Sequence, residues 1–467
     1  MKKIFLATAI AFAALSLQSC LHDDEELFPD SAANRLEAAV KADRELLESA
    51  ENGWEMHYYT GEQYTGGGYT MFMKFKNGKA FVSSDIAPAD MVETSSYDIV
   101  KDKGPVLTFN TYNMVMHYLA QPFQDDVDGE QGDYEFVITK TTQDSIYVKG
   151  KKWGNKFVMT RIPASTSWKE TITKMQTVLH SMRFFYLTNG VQDVSTALTF
   201  DPTLRRAYLG SDDTSGVPFY LTTEGIELHT PITINGKQVQ SLKFEASDKS
   251  LSCADAGYTF TPYTPAGFTP LENFVGNWTL GFQTMSNGSL RNSSVTMPIQ
   301  QTQDLIQQTS FTTAVAYVTY GQLLLRFIFS YSPIAGTLTL PTQYVLAADD
   351  GSGQYAELSD YVPGCAALMM LGVNSSGLLN GTDSHIYYPT MTTVYDSATK
   401  KYSLVDANGQ ADGLAFICVD SSGSPMYQLS DGSFTTDTDK VEADEGASLA
   451  SFMFWFNVHD FTPATEY

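Results

Sequence analysis

Two segments of the chain carry apolar residues at the spacing of a helix. Residues 32–51 contain neither Pro nor Gly, and their apolar positions fall on one stripe opposite charged side chains. This stripe consists of Leu36, Val40, Leu47 and Ala50. The pattern predicts an amphipathic helix, which Asn52-Gly53 ends in the manner of a left-handed cap.

The second helix is predicted near residues 167–182. Ser167 and Glu170 have the spacing of a capping box, in which the serine oxygen accepts the backbone N–H of Glu170 and the glutamate reaches back. The apolar stripe that follows consists of Ile172, Met175, Leu179 and Met182. This spacing places the stripe on one face of the helix.

Elsewhere the pattern has the period of a β-strand. From Trp54 onward apolar and polar residues alternate, and Asn77-Gly78 then turns the chain into a second apolar run, which is typical of a β-hairpin. Asn-Gly occurs seven times and is spread over the chain. The sequence therefore predicts a mainly β protein with a few helices, built from barrel-like or sandwich-like units.

Three prolines within residues 262–270 indicate a boundary between two β-rich domains. We predict these domains at residues 31–265 and 268–467. The second opens with Gly276-Asn277-Trp278, which is similar to the start of lipocalin-type barrels, where the tryptophan closes one end. So short a motif also arises by chance, so a sandwich is the alternative architecture.

Composition narrows the class of protein. The 467 residues include 53 acidic and 29 basic side chains, which gives a formal net charge of -24. Such a chain repels polyanions, so we expect no nucleic-acid partner. The hydrophobic fraction of 43% is too high for a disordered chain.

The N-terminus has the pattern of an export signal. Lys2 and Lys3 precede an apolar run from residue 4 to 17, which is shorter than a membrane span. The run closes at Cys20 in a segment that resembles the bacterial lipobox, where a cysteine is lipidated with chains such as palmitate. We predict a signal peptide at residues 1–19 and a lipid on Cys20; the alternative is an ordinary secretory signal with a chance cysteine.

An acidic cluster follows the predicted lipid site within a tether of residues 20–30. It resembles the surface-export signal of Bacteroidota lipoproteins, and the alternative is a plain solvated tether. The cluster consists of Asp23, Asp24, Glu25 and Glu26. We therefore expect an outer-membrane protein, held by its lipid and facing the cell exterior.

The other cysteines are Cys253, Cys365 and Cys418, an odd number for an exported protein. Cys365 and Cys418 both lie in the C-terminal part. Whether they pair depends on the separation of their Cα atoms, which sequence does not supply.

Several segments together resemble a family of Bacteroidota lipoproteins catalogued as a domain of unknown function, over residues 20–262. They are the lipobox, Asn52-Gly53-Trp54, Gly67-Gly68-Tyr69, Gly132-Asp133-Tyr134-Glu135-Phe136 and Lys149-Gly150-Lys151-Lys152-Trp153-Gly154-Asn155. The resemblance implies genes for TonB-dependent transporters and glycan-capture lipoproteins nearby. It implies no catalytic residues.

Sequence patterns of known chemistry are missing. The chain contains no Gly-x-Ser-x-Gly and no His-Glu-x-x-His, so serine hydrolases with a nucleophile elbow and zinc peptidases are disfavoured. The acidic residues 125–133 break the EF-hand pattern, and we interpret them as a solvated loop. For Trp153 and Trp278, core packing is favoured over sugar stacking. We assign no catalytic, cofactor or metal residues.

These observations predict a lipid-anchored surface protein that binds a ligand or partner as an accessory to glycan or peptide uptake, in complex with a TonB-dependent transporter. Two other functions fit the same sequence: a hydrolase of glycan or peptide without a recognisable motif, and a structural or adhesion protein of the envelope. An aromatic cleft favours capture, and two converging carboxylates favour hydrolysis.

The predicted lipid anchor and surface location are testable in whole cells. Cys20→Ala removes the lipid site and is expected to release soluble protein. Changing Asp23, Asp24, Glu25 and Glu26 to Ala is expected to keep the lipid while hiding the protein from protease added outside. Equal digestion of this variant and the parent would contradict the export signal, and protection of both would place the protein on the periplasmic face.

Overall fold

The computed structural model describes residues 31–122, 128–188, 193–211, 216–286, 289–302, 312–348, 355–374, 377–378, 387–456 and 460–463. Strands hold several times as many of these residues as helices do. The prediction of a mainly β protein with a few helices is therefore confirmed.

The first eight strands form a closed antiparallel barrel, which we call the N-terminal barrel. Each strand pairs with the next, and β1 closes the ring against β8, with Trp54 opposite Arg161. The strands are β1 Trp54–Tyr59, β2 Gly68–Lys76, β3 Lys79–Ser84, β4 Glu93–Lys101, β5 Pro105–Phe109, β6 Glu135–Thr141, β7 Ser145–Gly150 and β8 Lys156–Arg161.

Large apolar side chains occupy the interior of this barrel. Trp54, Met71 and Phe136 are among the buried residues of its single core cluster. A barrel of eight strands is just wide enough for side chains to fill it. The Arg161 guanidinium lies 4.7 Å from the centre of the Trp54 ring, and the Trp54 indole N–H donates to the Leu47 carbonyl at 3.0 Å.

The next eight strands close a second antiparallel barrel, the middle barrel, in which β16 returns to pair with β9. The predicted domain 31–265 therefore contains two closed barrels and not one β-unit. Two barrels fit in this length because eight short strands are enough to close each ring. The strands are β9 Phe184–Leu187, β10 Leu198–Asp201, β11 Arg206–Leu209, β12 Val217–Leu221, β13 Gly225–Ile234, β14 Lys237–Glu245, β15 Ser250–Cys253 and β16 Tyr258–Pro262.

The C-terminal sheet is branched. Strands β17, β18, β19, β20, β21, β25, β26 and β32 pair in a closed ring, and β22, β23, β27 and β31 form a second path from β20 to β17. The bounds are β17 Gly276–Ser286, β18 Ser289–Gln301, β19 Thr313–Tyr320, β20 Leu323–Ser332, β21 Thr337–Leu340, β22 Tyr344–Ala347, β23 Ala367–Asn374, β24 Gly377–Leu378, β25 Met391–Asp396, β26 Lys401–Asp406, β27 Gly413–Val419, β31 Ser451–Phe456 and β32 Asp460–Pro463. A small separate sheet contains β28 Tyr427–Gln428, β29 Phe434–Thr435 and β30 Ser448–Leu449.

Helices are present at both positions where the sequence pattern predicts them. The Ser31 and Ser167 side chains cap the first and third helices by accepting the backbone N–H groups of Asn34 and Glu170. In the described part of the chain, no helix is long and apolar enough to cross a membrane. The helices are α1 Ala32–Glu48, α2 Met114–Tyr118, α3 Trp168–Ser181, α4 Leu358–Tyr361 and α5 Thr438–Ala443.

A buried ion pair joins the two barrels. The Arg205 guanidinium of the middle barrel lies 2.9 Å from the Asp85 carboxylate of the N-terminal barrel, and the two side chains are 3% and 0% exposed. The other Asp85 oxygen accepts the Thr70 backbone N–H at 3.1 Å, and the Thr70 hydroxyl donates to the Leu221 carbonyl at 2.9 Å. The Arg205, Asp85 and Thr70 side chains are therefore paired across the two barrels or within the N-terminal barrel.

Removing one member of this pair leaves a buried charge without compensation. Arg205→Met is expected to lower the free energy of unfolding by about 3–5 kcal/mol. Adding Asp85→Asn is expected to restore part of the loss, because the amide oxygen still accepts the Thr70 N–H. Chemical denaturation measures both, with Lys41→Met, which removes an exposed charge on α1, as the matched control. An Arg205→Met variant as stable as that control would contradict the argument.

Candidate functional site

A cleft of about 480 Å³ lies between the middle barrel and the C-terminal sheet. This volume is within the range of ligand pockets in proteins. Five segments of the chain line it: the α3–β9 region, the start of the β10–β11 turn, the proline-rich linker with the residues after it, the end of β18 and the end of β20. The lining residues are His180, Arg183, Pro202, Phe268, Pro270, Leu271, Glu272, Gln301, Tyr331 and Pro333.

The linker forms one wall because both of its neighbours hold it. The Phe268 ring packs edge-on against Phe184 of β9, with centroids 4.8 Å apart. On the other side, the Tyr331 hydroxyl donates to the Thr269 carbonyl at 2.9 Å, and the Thr269 and Tyr402 hydroxyls are 2.6 Å apart. The prolines that indicate a domain boundary in the sequence thus form part of a docked wall.

The polar groups of the cleft differ in charge and in hydrogen-bonding capacity. Arg183 follows α3 and donates to the Leu179 and Met182 carbonyls at 3.2 and 2.6 Å, which fixes its guanidinium at the end of the helix. Burial lowers the pKa of Arg183, but an arginine remains charged at neutral pH. Burial also lowers the pKa of His180, with the charge of Arg183 acting in the same direction, so this imidazole is neutral at pH 7.

This set of groups suits a ligand rich in hydroxyls. Arg183 only donates hydrogen bonds, the Glu272 carboxyl group supplies acceptor oxygens, and Gln301 and neutral His180 both donate and accept. Burial raises the pKa of Tyr331, so its phenol stays protonated. Phe268 and the prolines add apolar surface beside these polar groups. A sugar presents the same combination of hydroxyls and apolar C–H faces.

A second cluster of rings lies where the N-terminal and middle barrels meet. His57 stacks on Tyr220 with centroids 3.8 Å apart, and His229 lies 4.7 Å from Tyr59 and 4.4 Å from Tyr64. His57 and Tyr220 pack face to face, and His229 meets Tyr59 edge-on. We therefore interpret the cluster as packing of the junction.

Three of the segments that carry the family resemblance lie at one end of the N-terminal barrel, namely Gly67-Gly68-Tyr69, Gly132 to Phe136 and Lys149 to Asn155, whereas Asn52-Gly53-Trp54 begins β1 at the other end. Asp133 accepts the backbone N–H groups of Lys152 and Trp153 through its carboxylate, with Lys152 N at 2.7 Å. The Tyr58 hydroxyl accepts the Asp133 N–H and donates to the Asp133 carbonyl at 3.0 Å. A Cβ at Gly150 would lie 2.0 Å from Asp133 Oδ2, so only glycine fits there. These residues stabilise the fold.

The sequence-predicted sites have different outcomes. Cys20 and the acidic residues 23–26 lie outside the described residues, so the lipid and the export signal stay predictions. Among the acidic residues 125–133, Asp128 forms an ion pair with Lys152 at 2.9 Å, and the Asp133 carboxylate accepts the Lys152 backbone N–H. Residues 125–127 lie outside the described part of the chain. Among the described residues, no group of three or more His, Cys, Asp or Glu side chains is arranged to hold a metal ion.

Two tryptophans for which core packing was favoured differ in position. Trp278 is buried at the start of β17, where it stacks on Phe461 with centroids 4.6 Å apart and donates its indole N–H to the Phe274 carbonyl at 2.8 Å. Trp153 lies half-buried in the β7–β8 loop, with the Lys152 ammonium 4.5 Å from the ring centre.

None of the charged cleft residues was singled out by the sequence. Arg183 and Glu272 are 89 positions apart, and neither belongs to a motif. The one available signal was the proline density between them, which marked the linker and not the site. Their meeting depends on how the middle barrel and the C-terminal sheet pack together.

Comparison with known proteins gives a family match for part of the chain. Residues 24–246 match the model of a family described as a domain of unknown function (DUF4302). The matched segment covers α1, the N-terminal barrel, α3 and most of the middle barrel. It ends before the linker, so the cleft is built partly from residues beyond the match.

No curated protein matches the chain. Among solved structures, a mutant of the vaccine antigen transferrin binding protein B from Haemophilus parasuis Hp5 has 9% identity and a TM-score of 0.11, with 86% of this chain and 67% of that chain covered. Intact Ap-TbpB, with N and C lobes, has 10% identity and a TM-score of 0.12, with 88% and 76% covered. Similarities this weak show neither a shared fold nor a shared function.

The Asp133 contacts predict a contrast between two substitutions. Asp133→Ala leaves the Lys152 and Trp153 N–H groups without their acceptor and is expected to lower the free energy of unfolding by about 1–3 kcal/mol. Asp133→Asn keeps one acceptor oxygen and is expected to lose less. Urea denaturation at neutral pH measures both, and equal losses would contradict this role of the carboxyl oxygens.

The same site predicts a dependence on pH. Burial raises the pKa of the Asp133 carboxyl above its ordinary value of 3.8. Between 3.8 and the raised pKa, the folded protein binds more protons than the unfolded chain, so this carboxyl makes stability fall as the pH rises through that interval. The free energy of unfolding of Asp133→Asn minus that of the parent should therefore increase as the pH rises through the same interval, which urea denaturation at a series of pH values measures.

Proposed function

We propose that this protein is a lipid-anchored outer-membrane protein on the cell surface, which captures short glycans as an accessory to nutrient uptake through a TonB-dependent transporter. The cleft between the middle barrel and the C-terminal sheet is the proposed capture site. The mixture of Arg183, His180 and Glu272 beside Phe268 is the observation that carries the proposal. The lipobox and acidic tether support the location, and the family resemblance supports the association with uptake.

The closed barrels favour a glycan over a peptide. Extended peptides often bind by adding a strand to the open edge of a sheet. In the N-terminal and middle barrels, the described strands pair into complete rings and offer no such edge. A sugar needs no strand edge, because scattered side chains can bind its hydroxyls one by one.

Hydrolysis has less support at this site. Cleavage of a glycosidic bond ordinarily uses two carboxyl groups on either side of the bond. Among the described residues that line the cleft, Glu272 is the one carboxylic acid. Its neighbour Arg183 is a cation, which suits binding better than a second acid or base.

The proposal is tested with the full-length protein on an array of plant and host glycans, followed by calorimetry with a glycan that binds. Glu272→Gln removes a charged acceptor, and Phe268→Ala removes an apolar wall. Each is expected to weaken binding about tenfold or more, because a hydrogen bond to a charged group contributes about 1.5–3 kcal/mol and a buried phenyl ring a similar amount.

Glu224→Gln is the matched control, since Glu224 lines a different groove on the middle barrel, and it should bind like the parent. Circular dichroism confirms that each variant is folded. Binding of peptides from a parallel peptide array, with no glycan bound, would replace the proposed ligand class. If neither array gives binding that Glu272→Gln weakens, the capture site is wrong.

A further inference from the structure

Cys365 and Cys418 are both buried in the core of the C-terminal sheet, with 4% and 0% exposure. Cys418 lies in β27, and Cys365 lies just before β23, the strand that pairs with β27. The two cysteines are thus brought to the same place by the pairing of two strands that are distant in sequence.

The strand register fixes their relation. Leu368 lies opposite Cys418, Ala367 lies opposite Val419, and the Ala366 N–H donates to the Val419 carbonyl at 2.8 Å. Cys365, Leu368 and Cys418 belong to one core cluster, whereas Ala367 and Val419 belong to the cluster on the opposite face. Both thiols therefore point to the same side of the sheet.

The two thiols influence each other: the neighbouring Cys418 lowers the pKa of Cys365, and Cys365 raises the pKa of Cys418. The Cys365 S–H donates to the Ala367 carbonyl oxygen at 3.3 Å. Cys253 differs, because it is buried in β15 within the core of the middle barrel. The described chain thus holds one pair of adjacent cysteines and one cysteine in a different core.

We propose that Cys365 and Cys418 form a disulfide bond in the mature protein. Both thiols are buried in the same core cluster, one in β27 and one just before the strand that pairs with β27, so the strand pairing brings them to the same side of the sheet where a disulfide can form. In the cell the bond requires an oxidising compartment, and in this respect alone the inference rests on the proposed export.

The bond forms by exchange with a small disulfide such as oxidised glutathione. The Cys365 thiolate attacks one glutathione sulfur and releases the first glutathione, and the Cys418 sulfur then attacks Cys365 and releases the second. Two electrons pass from the protein thiols to glutathione, and the two protein protons end on the two released thiols. The neighbouring Cys418 lowers the pKa of Cys365, which favours Cys365 as the first nucleophile.

This bond would constrain the part of the C-terminal sheet that connects its two paths. The segment between the cysteines contains β25 and β26 of the closed ring, β23 of the second path, and β24. The loop that the disulfide closes therefore includes strands from both parts of the sheet. Cross-linking a long segment lowers the entropy of the unfolded chain more than cross-linking a short one. The oxidised protein is therefore expected to melt several degrees above the reduced protein.

The experiment refolds the full chain from denaturant with oxidised and reduced glutathione, because both thiols are buried once the core is complete. The product is denatured, alkylated without reductant, digested and analysed by mass spectrometry. We expect one cross-linked peptide that joins Cys365 to Cys418, while Cys253 carries the alkyl group. Reductant is expected to lower the melting temperature of the oxidised parent.

Cys253→Ser is the matched control and should keep both the cross-link and the effect of reductant. The double variant Cys365→Ser, Cys418→Ser should melt at a temperature that reductant does not change. Alkylation of both Cys365 and Cys418 in refolded, non-reduced protein would overturn the proposal, as would a cross-link from either one to Cys253. Because the bond is formed in vitro, these outcomes are independent of export and of glycan binding.

Discussion

The interior of a small β-barrel has room for packed side chains or for one small ligand, and this constraint determines where the protein can bind. In the N-terminal barrel, Trp54, Met71 and Phe136 are part of a cluster that occupies the interior. Phe200, Phe219 and Phe260 do the same in the middle barrel. Surfaces where one β-unit meets the next are therefore the natural place for a ligand.

The two junctions of the chain differ in chemistry for a physical reason. Between the N-terminal and middle barrels, Asp85 is paired with Arg205, and the His57 ring stacks on Tyr220. Such a junction is stable because its charges and hydrogen bonds are compensated. At the next junction the proline-rich linker separates the middle barrel from the C-terminal sheet and leaves an open volume. Arg183 and Glu272 line that volume.

Sequence patterns predicted the local elements well. Asn77-Gly78 and Asn235-Gly236 both have positive φ angles and connect hairpins, since Asn and Gly adopt that conformation readily. Ser167 caps its helix as its spacing predicts. The closure of two separate barrels within residues 31–265 was not predicted, because closure depends on strand tilt and stagger. The cleft was missed for the same reason: its residues are neighbours only after the β-units pack.

The described segments that carry the family resemblance make contacts that hold the fold together. Gly132-Asp133 and the segment from Lys149 to Asn155 interlock through the Asp133 carboxylate, and the Asn155 side chain donates to the Tyr59 and Gly61 carbonyls at 3.3 and 2.7 Å. Every one of these contacts joins loops at one end of a filled barrel. A barrel of short strands depends on such contacts, because its loops would otherwise expose unpaired backbone groups. Because these side chains are used to hold the fold, the proposed ligand specificity rests on side chains outside this pattern, such as those between the middle barrel and the C-terminal sheet.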